Sequence, residues 1–154
     1  RRPQGFAGLG GERDHERRAA TAIFARLGAR SSFKSFTLAM NGRLTRNECV
    51  IEFTGDDAHA RVAGACVGEG DFHHDDTVFI THGAERCESR QVFKKVLRDG
   101  AVGVFQGKIL VKPGAQRRRG MTPSNGPAST KAARPVVLPS PTMLRIVIRG
   151  LSEE

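Results

Sequence analysis

The sequence predicts an all-β fold in which short strands coil or stack on one another, and three observations lead there. Phe36, Leu38 and Met40 alternate with Ser35, Thr37 and Ala39, and Asn47, Cys49, Ile51 and Phe53 alternate with Glu48, Val50 and Glu52. A period of two is expected of half-buried strands, because successive side chains point to opposite faces. Gly42, Gly55 and Gly68 recur every 13 residues, which is natural if each strand and its turn form a half-turn stacking on the last. Further on, Ala101–Phe105 and Ile109–Val111 are cut by Asp99-Gly100, Gln106-Gly107 and Pro113-Gly114, short β-rich runs punctuated by residues suited to turns. The later glycines, Gly83, Gly100, Gly107 and Gly114, lose the strict period, so the repeat alone supports stacking without defining its geometry.

Each element has its own signal. Residues 1–21 are rich in Gly and Arg without apolar periodicity and read as a flexible basic lead-in. Ala19–Leu27 suits a short helix or a strand. Ser32–Met40 reads as a strand closed by the tight-turn pair Asn41-Gly42. Asn47–Phe53 is the next strand, turned by Gly55-Asp56-Asp57. Ala60 and Val62 lead through Gly64-Ala-Cys-Val to Gly68-Glu-Gly. Between Cys87 and Leu97 the spacing of Val92, Phe93, Val96 and Leu97 fits two short strands or a helical turn, and periodicity alone leaves both open.

At 154 residues the chain has the size of one domain. Its apolar share is 38%, without Trp or Tyr, so Phe supplies all the aromatic surface. The first residue is Arg rather than Met, which suggests a fragment or a processed chain. No apolar run approaches the ~20 residues of a membrane span, and no signal pattern opens the chain. Cys49, Cys66 and Cys87 are odd in number and widely spaced, as expected of reduced thiols rather than a disulfide framework. The net charge of +9 is uneven: +4 in residues 1–30, −1 in 31–111 and +6 in 112–154. A nucleic-acid binder usually presents its charge on a structured face. Here the middle is neutral and the basicity lies at the ends, so the charge is weak support for such a partner.

The residues that tempt a chemical reading are Phe72-His73-His74-Asp75-Asp76, then His82 and Cys87. Imidazole, carboxylate and thiolate are the donors iron or zinc would use. Adjacent His73 and His74 would point to opposite faces of a strand and not share a metal, and the spacing fits no standard zinc pattern. A solvated turn at the end of a strand is the ordinary reading of this segment. His82 remains the candidate metal ligand. Cys87 is the candidate cofactor-binding thiol, because Arg86 and Arg90 flank it and would lower its pKa; the competing reading is a small buried inert side chain. Cys49 and Cys66 read as core fillers. Nucleophile elbow, P-loop and dinucleotide fingerprints are absent. Asp71, Asp75 and Asp76 would be the carboxylates of a carbohydrate-active β-helix, without the Trp or Tyr on which sugars stack.

The stretch CESRQVFKKVL…AVGVFQGKILVKPGAQ, with SSFKSFTLAMNGRLTRNECVIEFTGDDAHARVAG upstream, resembles the core of the SufB/SufD family of iron–sulfur cluster assembly proteins, on its SufD side, over residues 22–116. The resemblance implies a right-handed parallel β-helix and favours a strand for Ala19–Leu27. It also implies a cytoplasmic, non-enzymatic scaffold that meets SufB-like and SufC-like (ATPase) subunits, the iron–sulfur cluster belonging to the assembled complex and not to this chain alone.

After Gln116 the resemblance stops. Residues 117–154 carry no acid before Glu153 and hold most of the prolines, which reads as a basic, disordered tail in which Leu144–Ile148 could add one strand. Loss of resemblance within a few residues suggests a shifted reading frame and a truncated β-helix. Such a truncation would leave Val104, Phe105, Ile109 and Val111 on an exposed last rung. The competing function is a nucleic-acid-associated protein acting through its Arg-rich ends.

Overall fold

The computed structural model describes residues 16–40, 42–115, 129–138 and 142–151, and the lead-in before residue 16 lies outside them. Among the described residues there is no helix. The strands are β1 (Arg18–Leu27), β2 (Ser32–Met40), β3 (Leu44–Phe53), β4 (His59–Glu69), β5 (His73–His82), β6 (Glu88–Arg98), β7 (Val102–Val111), β8 (Ser129–Leu138) and β9 (Thr142–Leu151). Odd and even strands separate into two sheets, ordered β1-β3-β5-β7-β8 and β2-β4-β6-β9. Neighbours from β1 to β7 are parallel, so the chain winds as a β-helix of about three turns, two strands to the turn.

Register shows the repeat directly. Arg18 lies beside Leu44, Leu44 beside His73 and His73 beside Val102, steps of 26, 29 and 29 residues. Half of such a turn is close to the 13-residue glycine spacing, but the three glycines serve different ends. Gly42 turns the chain between β2 and β3 at φ 105°, a conformation that side chains resist. Gly55 lies between β3 and β4, where an added Cβ would overlap the Ala29 backbone nitrogen of the turn beneath. Gly68 lies inside β4, and Phe72 occupies the space its side chain would need. The Gly55→Ala substitution meets backbone rather than a movable side chain, so a loss near the upper end of ~1–3 kcal/mol is expected in urea unfolding.

The lumen is packed in rows running from turn to turn. Ile23, Cys49 and Val78 form one row, Ala25, Ile51, Ile80 and Ile109 another, and Leu27, Phe53, His82 and Val111 a third. Phe93 of β6 crosses to meet Phe105 of β7, their ring centres 4.8 Å apart. Cys49 is buried in the first row and Cys66 in a second cluster with Ala39, Phe72 and Leu97, both as expected, and burial pushes both thiols up to about 11.

At one corner the turns stack residue on residue. Arg30, Asp57 and Arg86 adopt the left-handed conformation in successive turns, with φ of 55°, 58° and 54°. The Arg30 amide donates to the Asp56 carbonyl and the Asp57 amide to the Glu85 carbonyl, at 2.8 and 3.1 Å. Arg86 grips both Asp57 oxygens, Nε at 2.7 Å and Nη2 at 3.0 Å. The corner is a ladder of alternating charge.

Several expectations change against this frame. Ala19–Leu27 lies within strand β1, and the segment that follows Cys87 forms the single strand β6 rather than two strands or a helical turn. Phe36, Leu38 and Met40 do not face the core: they are 64%, 57% and 57% exposed, and Ala39 is buried instead. Register decides this, since Ser35, Thr37 and Ala39 lie beside the lumen residues Val62, Gly64 and Cys66. Phe105 and Ile109 are buried rather than exposed on a last rung, and the edge of β7 is taken by β8, antiparallel. Strands β8 and β9 both lie in the segment read as a tail; β9 contains Leu144–Ile148 and pairs antiparallel with β6.

Candidate functional site

Strand β5 carries His74, Asp76 and His82 into the interior. Alternation from His73 turns His74, Asp76, Val78, Ile80 and His82 inward and leaves His73 and Asp75 half-buried. The segment read as a solvated turn is therefore a central strand, flanked by β3 and β7 in its sheet. His73 and His74 do point to opposite faces, as adjacent strand residues must.

Across the lumen, Lys95 of β6 reaches this strand and is 1% exposed. Its Nζ lies 2.7 Å from Asp76 Oδ2 and 2.7 Å from His74 Nδ1, and donates to the Val104 carbonyl at 2.9 Å. Asn47 Nδ2 of β3 donates to Asp76 Oδ1 at 3.1 Å and lies 3.2 Å from His74 Nε2. Four strands from both sheets thus converge on one charge-neutralised knot.

Burial holds His74 neutral by pushing its pKa down to about 4, against the pull of Asp76 and with the help of Lys95. A lysine ammonium has no lone pair, so Nδ1 is the acceptor in the contact with Lys95 and Nε2 carries the ring proton. That proton faces Asn47 Nδ2, itself a donor. Turning the Asn47 amide would satisfy His74 and cost Asp76 Oδ1 its donor, so the ring and the carboxylate compete for one amide. A cavity of about 20 Å³ adjoins the knot, lined by Thr21, Ser35, Thr37, Asn47 and Asp76 among others, room for roughly one water.

His82 and Cys87 lie further along the lumen. His82 is fully buried at the end of β5, its ring 4.6 Å from Phe53 and its Nε2 2.9 Å from Ser89 Oγ. Its Nδ1 has no hydrogen-bonding partner, and burial pushes its pKa down to about 4. Cys87, 1% exposed, donates to the Gly55 and Glu85 carbonyls, each at 3.4 Å. The expected activation by flanking arginines is reversed: burial pushes the Cys87 thiol up, and Arg86, occupied by Asp57, offsets it only weakly. Among the described residues no group of three or more His, Cys, Asp and Glu side chains is placed to hold a metal ion. Likewise, no helix among them is long and apolar enough to cross a membrane.

Lys95 was missed because its neighbour Lys94 makes the pair look like a solvated face; β alternation sends one lysine out and the other in. The available signal was the position of Lys95 in phase with Gln91, Phe93 and Leu97.

Fold and site together define a parallel β-helix whose lumen is sealed by packing and braced by a buried ionic knot. The family model for the SUF system FeS cluster assembly SufBD core domain matches residues 12–126, and the chain belongs to that family. No curated protein and no solved structure matches the chain.

Proposed function

We propose that this chain is a SufD-like scaffold subunit of the iron–sulfur cluster assembly machinery, without turnover of its own. The observation that carries this reading is the coincidence of the family match with the coiled part of the molecule, since residues 12–126 span every turn from β1 to β7. Membership in the family supports involvement in SUF cluster assembly, and the particular partners proposed are SufB-like and SufC-like (ATPase) subunits in the cytoplasm. Iron and sulfide are cargo in this reading: the cluster belongs to the assembled complex. Cys87 and His82 are the side chains of this segment proposed to meet it, and their burial requires the lumen to open first. The sequence beyond Gln116 is proposed to come from a shifted frame, which translating the coding DNA in the other frames would check by restoring or failing to restore a β continuation.

Co-expression of the tagged chain with SufB-like and SufC-like subunits tests the assignment. A stoichiometric complex that survives high salt is expected. The competing nucleic-acid reading predicts bound nucleic acid that is lost steeply as salt rises, and capture of nucleic acid without either subunit would reject the scaffold assignment.

A further inference from the structure

The outer face of the β2-β4-β6 sheet carries four of the six large apolar side chains that are exposed among the described residues. Phe36, Leu38 and Met40 of β2 and Val67 of β4 are exposed there, Val67 by 45%. Register places Phe36 beside Ala63 and Val92, and Met40 beside Val67 and Val96. The apolar patch therefore extends ~14 Å along the strands and ~10 Å across them, about the footprint of one face of a helix.

Its charge is equally one-sided. Lys34, Arg61 and Arg90 lie directly beside one another on successive strands, and Lys94 stands between the two apolar rows. Like charges placed side by side in a sheet repel. At the stacked corner, by contrast, Asp57 lies between Arg30 and Arg86, and on the other sheet Arg26 pairs with Glu52. On this face the acids stand only at the ends, where Glu88 meets His59 and Glu69 closes β4. Arg90 Nε is buried with no hydrogen-bonding partner.

We propose that this face docks an amphipathic helix of a partner protein, with an apolar ridge bordered by carboxylates. The patch takes the ridge, and the Lys34–Arg61–Arg90 row with Lys94 takes the acids. A second copy of the chain would bring the same cations against each other. Residues 1–15 and 116–128 of this chain both carry more basic than acidic residues, so neither complements the face. The inference rests on the surface alone and stands apart from the functional assignment above.

The test uses the intact chain and a fluorescein-labelled synthetic helix of about 18 residues, with leucines at i, i+3, i+4 and i+7 bordered by glutamates. A control peptide keeps the leucines and replaces the glutamates by lysines. Anisotropy should show saturable binding of the acidic peptide, weakened about tenfold by Arg61→Glu or Lys34→Glu and by Phe36→Ser. These side chains are on the surface, so the variants should melt with the parent. Equal binding of both peptides, no binding of either, or indifference to both charge reversals would overturn the proposal. Binding only to vesicles of phosphatidylcholine and phosphatidylglycerol would also overturn it, making the face a membrane surface instead.

Discussion

Replacing Lys95 by alanine is expected to destabilise the chain by roughly 3–5 kcal/mol, the cost of leaving a buried carboxylate without its counter-ion. Asp76 is 3% exposed, and its Oδ2 has Lys95 Nζ at 2.7 Å. Removing the ammonium also strips His74 Nδ1 and the Val104 carbonyl of their donor. That is a large part of the ~5–15 kcal/mol that holds a domain folded. The paired variant Lys95→Met with Asp76→Leu should recover most of the loss, because it removes both charges and keeps the volume. Urea unfolding of the single and paired variants measures both effects, and a single variant as stable as the parent would show that the knot carries little energy.

A second large effect is expected on acidification. His74 and His82 are buried neutral, with pKa values lowered from 6.5 to about 4, in each case chiefly by burial. The unfolded chain therefore takes up these protons first as pH falls. The stability contributed by holding the rings neutral is complete above about 6.5 and is lost progressively down to about 4. Each shift corresponds to roughly 3 kcal/mol at full development. Protonating His74 would also set a second cation against Lys95 at 2.7 Å. Thermal melts between neutral pH and pH 4 should show the midpoint falling steeply, and His82→Gln should flatten part of the slope. A midpoint unchanged down to pH 4.5 would contradict the buried neutral state of both rings.

The two effects share a cause. A β-helix buries alternate residues whatever their chemistry, so polar residues falling in phase with the lumen must find partners there. Asp76, Lys95 and Asn47 do so together, and His74 joins them through Nδ1. His82 does so at one ring nitrogen only, through Ser89. The partly satisfied ring belongs to the same lumen row as Phe53 and Val111, so that level lacks the mutual pairing of the knot.

Local pattern sufficed for much of this architecture. Alternation in Asn47–Phe53 marked β3 and its inward face, because Cys49, Ile51 and Phe53 share one phase and are all buried. Gly42, Gly55-Asp56-Asp57 and Asp99-Gly100 marked corners, whereas Gly68 and Gln106-Gly107 fall inside β4 and β7, so the glycine spacing only approximated a half-turn. The family resemblance added the coil itself, which the family match over residues 12–126 supports. What the sequence by itself determined is the β class, the stacking and the approximate turn length, all carried by neighbours along the chain.

Only the tertiary structure decided which face of each strand is the lumen. In β2 the apolar set lost to Ser35, Thr37 and Ala39, because parallel register with β4 places these beside Val62, Gly64 and Cys66. In β5 a stretch that looks solvated became central once strands on both sides removed its water. In β6 the pair Lys94-Lys95 separated, one lysine to solvent and the other to the interior. Each outcome depends on contacts between residues about a full turn apart. A period of two says that a strand has two faces; the register of the coil says which one is dry.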